Sequence, residues 1–111
     1  MIGEQDLALP AKMMDLLAES QKITAHNTAN AGVKGFRKLH ASFRAELRAA
    51  IEKGDPAAIR EVKLHVEQSK KPGVDTEAEA AAGAKNELLF DTFAEIAAYR
   101  IRALRLAVTS K

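Results

Sequence analysis

The apolar positions along the chain fall into two long helical patterns separated by a short irregular middle. Leu9, Met13, Leu16, Ser20, Ile23, Asn27 and Asn30 recur at alternating spacings of four and three, a heptad seam widened early by Met14 and Leu17. The pattern predicts a helix over 7–31, opening near Leu7–Pro10, because proline is tolerated only close to a helix start. Its narrow stripe favours a coiled-coil strand over the core-facing helix of a small bundle. Residues 1–6 are polar and read as loose. At the far end, Thr76-x-x-Glu79 has the form of a capping box, with Asp75 and Glu77 favourable beside the positive helix terminus. From there a second helix is predicted over 75–109, with Phe90, Phe93, Ala97, Ile101, Leu104 and Val108 as its main stripe. A helix of that length spans about 50 Å. Its first turns, from Ala78 to Ala84 with Gly83, carry only small side chains, which let helices approach closely. Leu88, Tyr99 and Leu106 lie off the stripe. They are inconsequential on a monomer and a second contact face in an assembly.

Between the two helices, residues 32–73 break the periodicity. Leu39, Phe43, Leu47, Ala50 and Ile51 recur at helical spacing, and Lys53-Gly54 closes that short element. Asp55-Pro56 reads as an N-cap and first helical position. Val62 to Glu67 is ambiguous: it suits a helix, yet it alternates like a strand. A strand there has nothing to pair with unless a partner supplies it. Ser69-Lys70-Lys71-Pro72-Gly73 is a turn or linker. The expected fold is all-α in a single domain, two long terminal helices packed antiparallel as a coiled-coil-like hairpin around a short helical or irregular middle.

The first helix ends unusually. One residue able to enter the left-handed region suffices to stop a helix. Here Asn30, Gly32 and Gly35 are all available, and Asn27 and Asn30 share a helical face that is apolar one turn earlier. An amide both donates and accepts, so the pair either caps the helix in the ordinary way or grips a neighbouring backbone.

These residues resemble the N-terminal signature of the bacterial flagellar axial proteins, the rod, hook and hook-associated group. That signature has an Asn-x-Ala-Asn core and a short turn ending in Gly-aromatic, matched here by Asn27, Ala29, Asn30, Gly35 and Phe36. The continuation Phe36-Arg37 … Phe43-Arg44-Ala45-Glu46-Leu47 is most similar to the proximal rod subunits. Val74-Asp75-Thr76-Glu77-Ala78-Glu79 resembles the family's C-terminal Val-Asp-x-Glu-x-Glu opening. The resemblance covers roughly residues 10–50 and 72–109; Thr28 and Lys34 depart from the usual aliphatic residue and proline. It implies a structural subunit that polymerises into the basal-body rod and transmits motor torque. It also implies a subunit-contact and turn signature at Asn27, Asn30, Gly32, Gly35 and Phe36. The helix seam is Leu9, Met13, Leu16 and Ile23 with the C-terminal stripe. The implied partners are further copies of the chain, other rod and basal-body proteins (FliE, FlgC, FlgF and the MS-ring) and the flagellar type III export apparatus.

Composition changes this picture little. Alanine makes up much of the apolar fraction of 47%, and it favours helix while burying little, so thin contact seams are expected. A net charge of +2 is too small to mark a nucleic-acid binder. Acidic Glu4, Asp6, Asp15 and Glu19 lie at one end of the chain and basic Arg100, Arg102, Arg105 and Lys111 at the other, each complementing its own helix dipole. There is no cysteine and no apolar run long enough to span a membrane. Met1 to Asp6 lacks the basic and apolar regions of a secretory signal, so export implies another route. His26, His40 and His65 lack the paired spacing of a metal site, and no phosphate loop or nucleophile elbow is present. No catalytic residue, cofactor or metal is expected. Gly32-x-x-Gly35 is similar to a KH-domain loop, but that loop belongs to a strand-rich fold. The rival reading is a helical adaptor or nucleic-acid module using Lys34, Arg37, Lys38 and the C-terminal arginines.

Overall fold

A computed structural model describes residues 5–110. The expectation of a loose start over residues 1–6 lies outside the described residues for 1–4 and is corrected at Gln5 and Asp6, which already belong to the first helix. The chain is mostly helical and elongated, with extents of 64 × 25 × 13 Å. In order, the elements are α1 (Gln5–Ala29), β1 (Leu39–Ser42), α2 (Arg44–Lys53), α3 (Pro56–Arg60), β2 (His65–Gln68) and α4 (Thr76–Thr109).

The long helices match the periodic stretches, with shifts at the ends. Helix α1 starts at Gln5, so Pro10 lies inside it and is almost wholly buried. The proline forfeits one hydrogen bond near the helix start, where burial of its ring offsets the loss. Helix α4 is opened by Asp75, whose carboxylate accepts from the backbone N–H groups of Glu77 and Ala78, both at 3.1 Å. Thr76 is thus the first helical residue and not the cap, and the capping box is not formed. Aspartate, the stronger cap, takes the place one residue earlier, and this frees Glu79 for a different partner.

The all-α expectation fails in the middle. Leu39–Ser42 is extended and pairs antiparallel with His65–Gln68, Leu39 opposite Gln68 and Ser42 opposite His65. The alternation at Val62–Glu67 was a strand signal after all, and its partner comes from the same chain. The helical spacing Leu39–Phe43–Leu47 misled because a four-residue strand followed at once by a helix places apolar residues at the same interval. Helix α2 ends at Gly54, left-handed at φ 68°, and α3 is capped by Asp55, whose carboxylate accepts from the Ala57 N–H at 3.0 Å. Both follow the sequence signals.

The apolar core is small and lies where α1 meets the middle segment: Leu16, Leu47, Ala50 and Val62, flanked by Leu9, Met13, Phe43 and Ile59. The Lys12 ammonium adds a bond to the Val62 carbonyl at 3.0 Å. Along α4 the contacts with α1 are partly polar. Asn86 Nδ2 donates to Gln21 Oε1 at 3.2 Å. Gly83 is buried against α1, where an added Cβ would stand in ordinary contact, 3.4 Å from the Gln21 amide and 3.7 Å from the Thr24 methyl. The small residues at the start of α4 do permit close approach. The seam itself is uneven. Leu16 is buried, Leu9, Met13, Ile23, Phe93, Ala97 and Leu104 are half-buried, and Phe90, Ile101 and Val108 are exposed. Val108, 65% exposed, shows the reason: α4 has 34 residues to the 25 of α1. No helix among the described residues is long and apolar enough to cross a membrane.

Candidate functional site

Of the signature residues, Asn27 stands where the end of α1, the start of β1 and the start of α4 meet. Asn27 is 1% exposed and belongs to the last turns of α1. Its carbonyl oxygen accepts the Leu39 N–H at 2.8 Å, and its amide nitrogen donates to the Leu39 carbonyl at 2.8 Å. The same nitrogen donates to Glu79 Oε1 at 3.1 Å. That carboxylate, itself 4% exposed, receives the Lys38 ammonium at 2.9 Å. One asparagine therefore ties the end of α1 to the start of β1 and to the first turn of α4. Only an amide can do this, because the Leu39 backbone requires a donor and an acceptor from the same side chain. Burial of so much polarity is tolerable because it is satisfied: among the described residues no buried side-chain nitrogen or oxygen lacks a partner. Removing one member would strand the others, and that loss exceeds the net worth of any one bond.

Asn30 behaves differently. Its amide donates to the His26 carbonyl at 2.8 Å within its own helix end, which is ordinary C-capping. The two asparagines share a face in the sequence pattern but divide the two readings between them. Neither is left-handed: no non-glycine residue has positive φ among the described residues. Gly32 is not left-handed either, so the turn depends on Gly35, at φ 80°. Beyond it Phe36 is half-buried, its ring edge-on to His26 at 5.6 Å between centroids. The Phe36 carbonyl accepts the Gly73 N–H at 2.9 Å, drawing the segment before α4 against the turn.

Glu79 and Lys38 were not identified as site residues from the sequence. The sequence pattern assigns Glu79 to a capping box and Lys38 to the basic residues of the rival nucleic-acid reading. No local signal sets Glu79 apart, because its spacing from Thr76 is already that of a capping box. The basic turn is largely engaged inside the chain: Lys38 by Glu79, and Arg37, whose guanidinium donates to Gln68 Oε1 at 2.9 Å. The turn face left open to solvent is Gly32, Val33, Lys34 and Gly35.

Elsewhere, His65 and Glu67 form an exposed pair at 2.8 Å on β2. The hydrogen bond to Glu67 and its charge raise the His65 pKa above the ordinary 6.5. The reciprocal contact lowers Glu67. Among the described residues no group of three His, Cys, Asp or Glu side chains is placed to hold a metal ion. No family model matches the chain, and a search of curated proteins finds no significant relative.

Proposed function

We propose that the chain is a structural subunit of the bacterial flagellar basal-body rod, of the proximal FlgB type. Its two long helices act as a coiled-coil-like hairpin, exported without a cleaved signal and polymerised into the periplasm-spanning drive shaft. The observation that carries the reading is the Asn27–Glu79 hydrogen bond. Asn27 and Glu79, 52 residues apart, bring the two stretches that resemble the axial family into one buried knot, each supplying a residue the other requires. Such a knot fixes the geometry of a subunit whose work is mechanical, and it leaves the turn tip at Gly32–Gly35 and the outer face of α4 for neighbours. A sister subunit such as FlgC falls within the same reading. The nucleic-acid alternative is weakened by the engagement of Lys38 and Arg37 within the chain.

Electron microscopy of basal bodies from a strain lacking this gene, with a complemented control, tests the proposal. Membrane rings without a rod, together with lost swimming, are expected. Intact rods and normal motility would overturn it.

A further inference from the structure

Alongside the knot runs an open groove of about 760 Å³, bounded by α1, the β1–α2 stretch and the first half of α4. Its floor is apolar, from Met13, Ile23, Leu39, Phe43, Leu47 and Leu89. Its walls carry Arg44, Arg48 and Lys85, none drawn into an ion pair among the described residues, against the carboxylate of Glu52. Lys38 and Glu79, also in the wall, neutralise each other. The groove is therefore an apolar trough with a net positive rim.

Over the middle turns of α4, before exposed Arg102 and Arg105, the other side has the inverse character. At 100° per residue, Glu87 and Asp91 project almost opposite Leu89, away from the groove. Glu87, Asp91 and Glu95 recur every four residues as an exposed acidic ridge. Beside it Leu88, Tyr99 and Leu106 line up at spacings of eleven and seven, and they are 68%, 67% and 67% exposed. An acidic ridge with an apolar stripe on one side and an apolar trough with a basic rim on the other are complementary in sign and in kind.

We infer that the groove of one copy receives the Glu87–Tyr99 ridge of α4 from a second copy. Because the two surfaces are different patches on opposite sides of α4, the contact is heterologous, and each added copy presents a fresh groove and a fresh ridge. Association of this type extends instead of closing into a dimer. The inference rests on the rod reading only for its choice of a second copy as occupant, and it is tested on the purified chain without a flagellum.

Sedimentation velocity over a range of concentration and salt is the experiment. The unaltered chain is expected to associate with rising concentration, and less so at high salt. Arg44→Glu with Arg48→Glu gives an acidic groove beside an acidic ridge. Asp91→Lys with Glu95→Lys gives a basic ridge beside a basic groove. Each double variant alone is expected to lose association by about tenfold or more. Their equimolar mixture is expected to associate again, because each surface of one then meets its opposite on the other. All four substitutions are at exposed positions, and circular dichroism verifies that the helices remain. Three results each overturn the inference: an unaltered chain that stays monomeric, association indifferent to the reversals, or folded variants whose mixture does not recover. Failure here with rodless basal bodies in the deletion strain would leave the rod reading standing and remove only this interface.

Discussion

The two ends of α4 are held in opposite ways. Its first turn is fixed by polar geometry, with Glu79 buried among Asn27, Lys38 and the Leu39 backbone, and Gly83 pressed against α1. Its last turns leave apolar side chains bare beside exposed Arg102 and Arg105: Tyr99, Leu106 and Val108 are each about two-thirds exposed. Ordinarily the hydrophobic effect would cover such apolar side chains and leave a carboxylate such as Glu79 in water. The inversion separates two tasks. Polar contacts have directional requirements and fix a unique arrangement, while apolar contacts are tolerant of partner and suit a surface that another molecule will cover.

Breaking the polar end gives the largest expected effect. Asn27→Ala leaves the Leu39 backbone groups and a buried carboxylate short of partners, and the loss should be about 3 kcal/mol. Urea unfolding followed by circular dichroism measures it; a loss below about 1 kcal/mol would show that the knot is dispensable. Asn30→Ala removes only a local cap, so about 0.5–1 kcal/mol is expected. If the two alanine variants were equally stable, the distinction between the two amides would collapse. The turn sharpens the contrast further. Gly35→Ala forces a Cβ into the left-handed region at a cost of about 1 kcal/mol, whereas Gly32→Ala, with open space around it and no positive φ, should change little.

At the bare end the expectation reverses. Leu106→Ser should leave monomer stability within about 0.5 kcal/mol. A large loss in the unfolding midpoint would mean that the helix end is already covered inside the chain. The smallest effect belongs to the exposed pair on β2. His65 has a raised pKa, so its contribution is complete below 6.5 and fades as pH rises through the folded value. Glu67 has a lowered pKa, so its contribution is complete above 4.5 and fades on acidification through the folded value. The pair therefore helps most between those two values. A proton NMR titration should show His65 titrating above its ordinary range, with Glu67→Gln returning it; no change in that variant would dissociate the two.

The regular parts of the fold were legible because their signals are local. Heptad spacing gave α1, Asp55-Pro56 and Gly54 gave the boundaries of the short helices, and Leu88, Tyr99 and Leu106 fall off the stripe and are indeed exposed. The sheet was not legible, because β1 and β2 are four residues each and the pairing joins Leu39 to Gln68 across two intervening helices. No local rule reports such a partner. At the site, Asn27 could be singled out by its place in the pattern. Glu79 could not be, since a carboxylate three residues after a threonine at a helix start has a sufficient local explanation. Only the structure shows that Asp75 takes that duty and turns Glu79 inward.

The way Asn27 holds Leu39 has a consequence for solubility. The carbonyl and N–H of Lys38 and its alternate neighbours turn toward β2, as in the Ser69 N–H to Lys38 carbonyl bond at 2.8 Å. Those of Leu39 turn the other way, to where a third strand would add. The asparagine amide supplies the donor and acceptor of that missing strand in a single side chain. It thereby blunts an open sheet edge that would otherwise template pairing with an extended peptide. A chain kept at high concentration meets many such peptides. The residue that locks the fold also occupies the open edge of β1 at Leu39.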